Sequence, residues 1–180
     1  FEVEANPKEF IEHALSSGLV NDDFPETSFR KSYRIFNNQL SLQNTIFGDR
    51  IAQLTTDFLR HSLLQLEKKF SFETVFSHPG KLNFMRLAAS KGYKVYLYFV
   101  CTESPFINVF RVKQVRVGQG GHDVPEEKII GRYYRSLDLL YDAAQVAYHA
   151  YFFDNSGDGK QFEQIAHFKL VKGEKKWDSI

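Results

Sequence analysis

The chain has 180 residues, 43% of them hydrophobic and 16% aromatic, which is enough for one well-filled core and predicts a single α/β domain over residues 1–180. With 23 basic against 22 acidic side chains the net charge is +1, so no whole-protein field favours nucleic acid or an anionic membrane. The single cysteine, Cys101, excludes an internal disulfide and predicts a reducing, cytoplasmic setting, and no apolar run is long enough to span a bilayer.

In chain order, Asn6 and Pro7 read as the cap and first residue of a helix that carries Phe10, Ile11, Ala14 and Leu15 on one face and ends near Gly18. Tyr33, Ile35, Leu40 and Leu42 alternate about Asn37–Asn38, the pattern of a small hairpin or an irregular insertion. Asp49–Lys69 is a helix by spacing, with Ile51, Leu54, Phe58, Leu59, Leu63 and Leu66 as its apolar stripe. Phe70–Thr74 reads as a strand that delivers Glu73 and Thr74 to its end, followed by a turn at Pro79–Gly80 and a helix over Lys81–Lys91 stopped by Gly92. Tyr93–Val100 is almost continuously apolar, the pattern of a strand buried on both faces of a parallel sheet.

Ser104–Pro105 cap a Val-rich helix through Val117, and Gly118–Gly121 break the chain. A second helix starts after Pro125, with Ile129, Ile130, Tyr133, Leu137 and Leu140 on its apolar side. Together the two form a glycine-hinged helical hairpin, at about residues 104–140, bearing Arg111, Arg116, Arg132 and Arg135. Tyr148–Phe153 reads as a further strand, Asp154–Gly159 as a turn, and Phe162–Val171 with Lys175–Trp177 as a terminal β-hairpin. The sum is a layered α/β domain of helices on a mostly parallel sheet.

No GxxxxGK[ST] occurs: Pro79–Gly80–Lys81 and Asp158–Gly159–Lys160 lack the upstream glycine and the following hydroxyl. The six histidines show no HExxH or Cys/His clustering, so no metal site is read, and Cys101, with no paired base nearby in sequence, reads as a small buried residue. Glu73, at the end of a core strand beside Thr74, requires a ligand, a metal or an arginine to meet its charge if buried. Arginine forks suit phosphate oxygens, whereas most exposed arginines form only solvated pairs worth roughly 0–1 kcal/mol.

The strand ending Phe72–Glu73–Thr74, the Lys91–Gly92–Tyr93 strand, Asn108–Arg111–Val112 with Arg116–Val117, Gly120–Gly121–His122–Asp123–Val124–Pro125, Arg132–Tyr133–Arg135–Ser136 and Asp154–Asn155–Ser156 appear in that order over roughly residues 50–170. This set resembles the C-terminal two-thirds of the zeta-toxin-like P-loop kinases. The resemblance implies a three-layer P-loop-kinase-like fold with an arginine lid and a core over residues 49–180, residues 1–48 being a variable insertion. It also implies Mg²⁺-ATP as cofactor and phosphoryl transfer to a hydroxyl of a UDP-activated amino sugar. By position it puts Glu73 and Thr74 in the acceptor pocket, Arg116 and Arg132 or Arg135 facing the transferring phosphate, and Asp154 and Asn155 near the adenine.

The family's first strand, its Walker loop and its catalytic aspartate have no counterpart here. Glu4–Ala5–Asn6 is superficially similar to the family's Asn-Ala-Asp segment, but asparagine cannot accept the proton a base must take. The expectation is therefore that the missing parts precede Phe1 and that this chain alone is catalytically inactive. The leading function is part of an ATP-dependent small-molecule kinase, with an antitoxin protein as a possible partner; the alternative is a non-catalytic nucleotide- or protein-binding module. The kinase reading requires Glu73 and the arginine hairpin to face one crevice.

Overall fold

The computed structural model describes residues 6–159 and 161–178; Glu4–Ala5 and Lys160 lie outside them. The chain packs into two compact units, Phe1–Phe72 and Glu73–Ile180.

The first unit opens with α1, Pro7–Ser16, whose Asn6 side chain accepts the Lys8 N–H while Pro7 occupies a position that needs no donor. A short α2, Glu26–Ser32, leads into β1, Tyr33–Phe36, and β2, Gln39–Leu42. These two strands pair antiparallel across Asn37 and Asn38, both with positive φ (47° and 60°), the conformation a two-residue hairpin turn demands and asparagine tolerates. Helix α3, Gly48–Gln65, comes next. Its Ile51, Leu54 and Phe58 meet Phe10, Ala14, Phe24 and Phe29 in one core. Phe10 is its centre, with edge-on contacts to Tyr33 and Phe58.

Two expectations for α3 change. Leu59 and Leu66 are exposed, and Leu64 is buried instead. The helix also stops four residues short of Lys69, because Glu67 takes a left-handed conformation (φ 55°). The Lys68 N–H then bonds the Leu63 carbonyl and the Glu67 N–H the Leu64 carbonyl, closing the end as a glycine normally would.

In the second unit α4 spans Pro79–Ser90: Pro79 starts the helix rather than forming a turn before it, and the His78 ring accepts the Gly80 N–H as its cap. Gly92 (φ 84°) ends it, as its sequence position predicts. Strand β3, Tyr96–Cys101, is followed by α5, Pro105–Phe110, a π-helical segment Arg111–Arg116, and the long α6, Glu126–Val146. Strands β4, His149–Asp154, β5, Glu163–Val171, and β6, Glu174–Trp177, complete the unit.

The sheet has the order β3-β4-β5-β6. Only β3 and β4 are parallel; β4–β5 and β5–β6 are antiparallel, so the sheet is mixed and the mostly parallel sheet expected from sequence is not formed. The predicted strand at Phe70–Thr74 is also absent. Phe70 and Phe72 stack on each other, and the Arg60 guanidinium lies 4.7 Å over the Phe72 ring, within the first unit. Nor is β3 buried on both faces. Leu97 and Phe99 point into a core with Leu82, Met85, Ala143 and Phe168, while Tyr96, Tyr98 and Val100 on the opposite side are exposed. The terminal hairpin of β5 and β6 forms as predicted.

Candidate functional site

A cleft of about 330 Å³ opens at the carboxyl ends of β3 and β4, the parallel pair of the second unit. Ligands collect at such ends because strands finish there and the helix-bearing loops diverge. Its floor is Phe99–Thr102, one wall is Asn108, Val112 and Arg116, the other is Ile129, Arg132, Tyr133 and Ser136 of α6, and Thr74, Val75 and Asn155 close its rim.

The hairpin predicted from sequence is what builds these walls. Ser104 caps α5 by accepting the Phe106 N–H, and Pro105 fills its first position. The helix then widens: the Val117 N–H reaches the Val112 carbonyl, five residues back, through the π segment that ends at Arg116. Gly120 takes a positive φ of 84° and the Gly121 N–H returns to the Arg116 carbonyl at 2.8 Å. A Cβ on Gly121 would lie 2.5 Å from Arg116 Cγ, so glycine is required there for the arginine stem to pass.

Interactions across the walls hold the cleft open. Tyr133 Oη donates to the Thr102 carbonyl at 2.8 Å, fastening α6 to the end of β3. Burial raises the Tyr133 pKa, with Cys101 and Tyr134 adding to it, so the phenol keeps its proton. Arg111 donates to the carbonyls of Asn155 (2.6 Å) and Gly157 (3.2 Å), fixing the turn after β4. The Cys101 thiol, on the floor, is pushed up by burial and by the Asp154 charge, a backbone bond opposing them.

Of the residues singled out from sequence, the cleft gathers Thr74, Arg116, Arg132 and Asn155. Arg132 is half-buried and Arg116 exposed. Arg135, left open beside Arg132, is exposed and donates instead to the Ser77 carbonyl at 3.3 Å, off the cleft lining. Asp154 spends its carboxylate on the following turn, accepting from the Ser156 N–H and hydroxyl. Glu73 is exposed and does not line the cleft, so the buried strand-end carboxylate expected from sequence does not occur. The reason is the missing strand: without pairing, Glu73 is not carried into the sheet.

Sequence reasoning placed Arg111 on the basic hairpin and Tyr133 on its apolar side but missed their supporting roles, because both act on main-chain carbonyls that no side-chain pattern announces. Among the described residues the lining offers two guanidinium groups, two amides, three hydroxyls and a phenol, and no carboxylate. That set favours an anion with several oxygens, such as a phosphoryl group. Comparison with protein-family models, with curated proteins and with solved structures finds no match to this chain.

Proposed function

We propose that the cleft of the second unit grips a phosphate-bearing ligand, as a phosphate-binding module; phosphoryl transfer of the zeta-toxin-like kind is the second reading, carried by the paired arginines alone. The observation that carries this reading is that Arg116 and Arg132, from two different helices joined through Gly118–Gly121, line one cleft with Asn108 and Asn155. Two guanidinium groups on a phosphoryl group spread its charge as transfer proceeds, and a closing arginine of this type contributes on the order of 10³–10⁵ in rate. Tyr133, bonded to Thr102, positions the wall that carries Arg132.

The donor set fits the phosphates of ATP better than its metal. With no carboxylate among the described lining residues, these side chains would not hold Mg²⁺, and no step is derived through the ion. Glu73, which the kinase reading required at this crevice, is exposed and outside the lining, and that position favours phosphate binding without catalysis.

Calorimetric titration with ATP and with a UDP-activated amino sugar, on this chain and on its Arg116→Ala and Arg132→Ala variants, tests both. Loss of one charge-assisted bond, about 1.5–3 kcal/mol, weakens binding by roughly 10–150-fold. Turnover assays with ATP and the amino sugar then separate the readings: ATP-dependent phosphorylation lowered by Arg116→Ala and Arg132→Ala supports the kinase, and binding without turnover supports the module. If neither ligand binds, or both arginine variants bind as the parent does, both readings fail.

A further inference from the structure

His13 on α1 and Asp57 and His61 on α3 come together in the first unit, and their ligand atoms all lie within 4.8 Å of one another. Asp57 and His61 are one helical turn apart and so share a face; α1 contributes the third group. Asp57 Oδ2 is the centre, 3.0 Å from His13 Nε2 and 3.6 Å from His61 Nδ1. Donors bound tetrahedrally at about 2.0–2.1 Å from one ion lie roughly 3.3–3.5 Å apart, so these two spacings bracket the required value.

From this geometry we infer that the cluster is a binding site for a divalent transition-metal ion of the zinc type, which clips α1 to α3. Two imidazoles and one carboxylate suit zinc and its neighbours and do not suit magnesium or calcium, which demand more oxygen donors. The carboxylate already has its orienting partner, since Arg60 donates to Oδ1 at 2.6 Å and leaves Oδ2 for the ion, one oxygen only. Arg60 lowers affinity by its charge while fixing the carboxylate's direction.

Both rings accommodate the ion by moving a proton: His13 carries it on Nδ1, and His61, whose Nδ1 now sits 2.9 Å from the Asp57 carbonyl, carries it on Nε2. The His61 side chain is 36% exposed, so the fourth position opens to water. The site is independent of the phosphate cleft and stands or falls without it.

The test is titration of the metal-stripped full chain with Zn²⁺ by calorimetry and with Co²⁺ by visible absorption. Expected are one equivalent of Zn²⁺, an intense tetrahedral Co²⁺ spectrum displaced by Zn²⁺, no competition by Mg²⁺, and a melting temperature raised by Zn²⁺. His61→Ala, at a half-exposed position, weakens binding on the order of 100-fold or more, while His122→Ala in the other unit leaves it unchanged. Absence of Zn²⁺ binding by the parent chain, or binding retained in folded His61→Ala, overturns the assignment. Should His61→Ala fail to fold, the Co²⁺ spectrum of the parent decides: an octahedral, weakly absorbing ion also overturns it.

Discussion

Replacing Asp57 by asparagine, with a chelator present to remove metal, removes the charge on which three side chains of the first unit converge. Arg60 donates to one carboxylate oxygen at 2.6 Å with only 9% of its side chain exposed, and His13 bonds the other at 3.0 Å. Asparagine retains one acceptor and leaves the buried guanidinium facing a neutral amide, a cost of about 1–3 kcal/mol. For a chain of this length each kcal/mol corresponds to about 2–4 °C in melting temperature.

The cost also depends on pH. Burial pushes the Asp57 carboxyl up, but the Arg60 hydrogen bond, the charges of His61 and Arg60 and the His13 bond together outweigh it and hold the folded-state pKa below the usual carboxylate value. A group lowered on folding contributes its stability above the unfolded pKa and loses it as pH falls through the folded one. Urea unfolding of parent and Asp57→Asn from neutral pH downward should therefore converge on the acid side, the parent falling towards the variant. Parallel curves, or equal stability at neutral pH, refute the role assigned to this carboxylate.

Four further outcomes are expected. Gly121→Ala, whose new Cβ must push Arg116 aside, costs about 1–3 kcal/mol in unfolding experiments and weakens phosphate-ligand binding with every charge intact. Tyr133→Phe, which deprives the Thr102 carbonyl of its donor, costs about 0.5–1.5 kcal/mol by the same measurement. Glu67→Gly, which relieves a non-glycine left-handed residue at the end of α3, raises stability by up to about 1 kcal/mol, the gain reduced by glycine's greater freedom when unfolded. Because burial and Asp154 raise its pKa, the Cys101 thiol alkylates more slowly in the folded chain than in denaturant, a difference that shrinks as pH rises.

What the sequence reveals and conceals has local physical causes. Helix starts are legible because a polar cap followed by proline serves one purpose, and Asn6–Pro7 and Ser104–Pro105 both mark their helices. Helix ends are legible at Gly92 and hidden at Glu67, where the same left-handed closure uses a residue that carries no signal. Asn37–Asn38 announce the β1–β2 hairpin through their tolerance of positive φ. Alternating Phe70 and Phe72 signal extended backbone, yet alternation does not say whether a neighbouring strand exists to pair with it, and among the described residues none does. The apolar run Tyr96–Cys101 likewise does not distinguish a core from a sheet face lined with exposed tyrosines. At the cleft, the sequence indicates which arginines share a hairpin; telling Arg132 from Arg135 depends on a rotation about α6 that only the packed structure fixes.

The widened turn at Arg111–Arg116 determines the compass bearing of every side chain after it. One surplus residue in a helical turn rotates the downstream residues by about 100° about the axis. Arg116 is the last residue inside that turn, so an uninterrupted α-helix of the same sequence would aim its guanidinium along a different radius. Excising Gln114, by contrast, would restore ordinary winding and leave Arg116 on its present bearing, because the widened turn is what absorbs that extra residue.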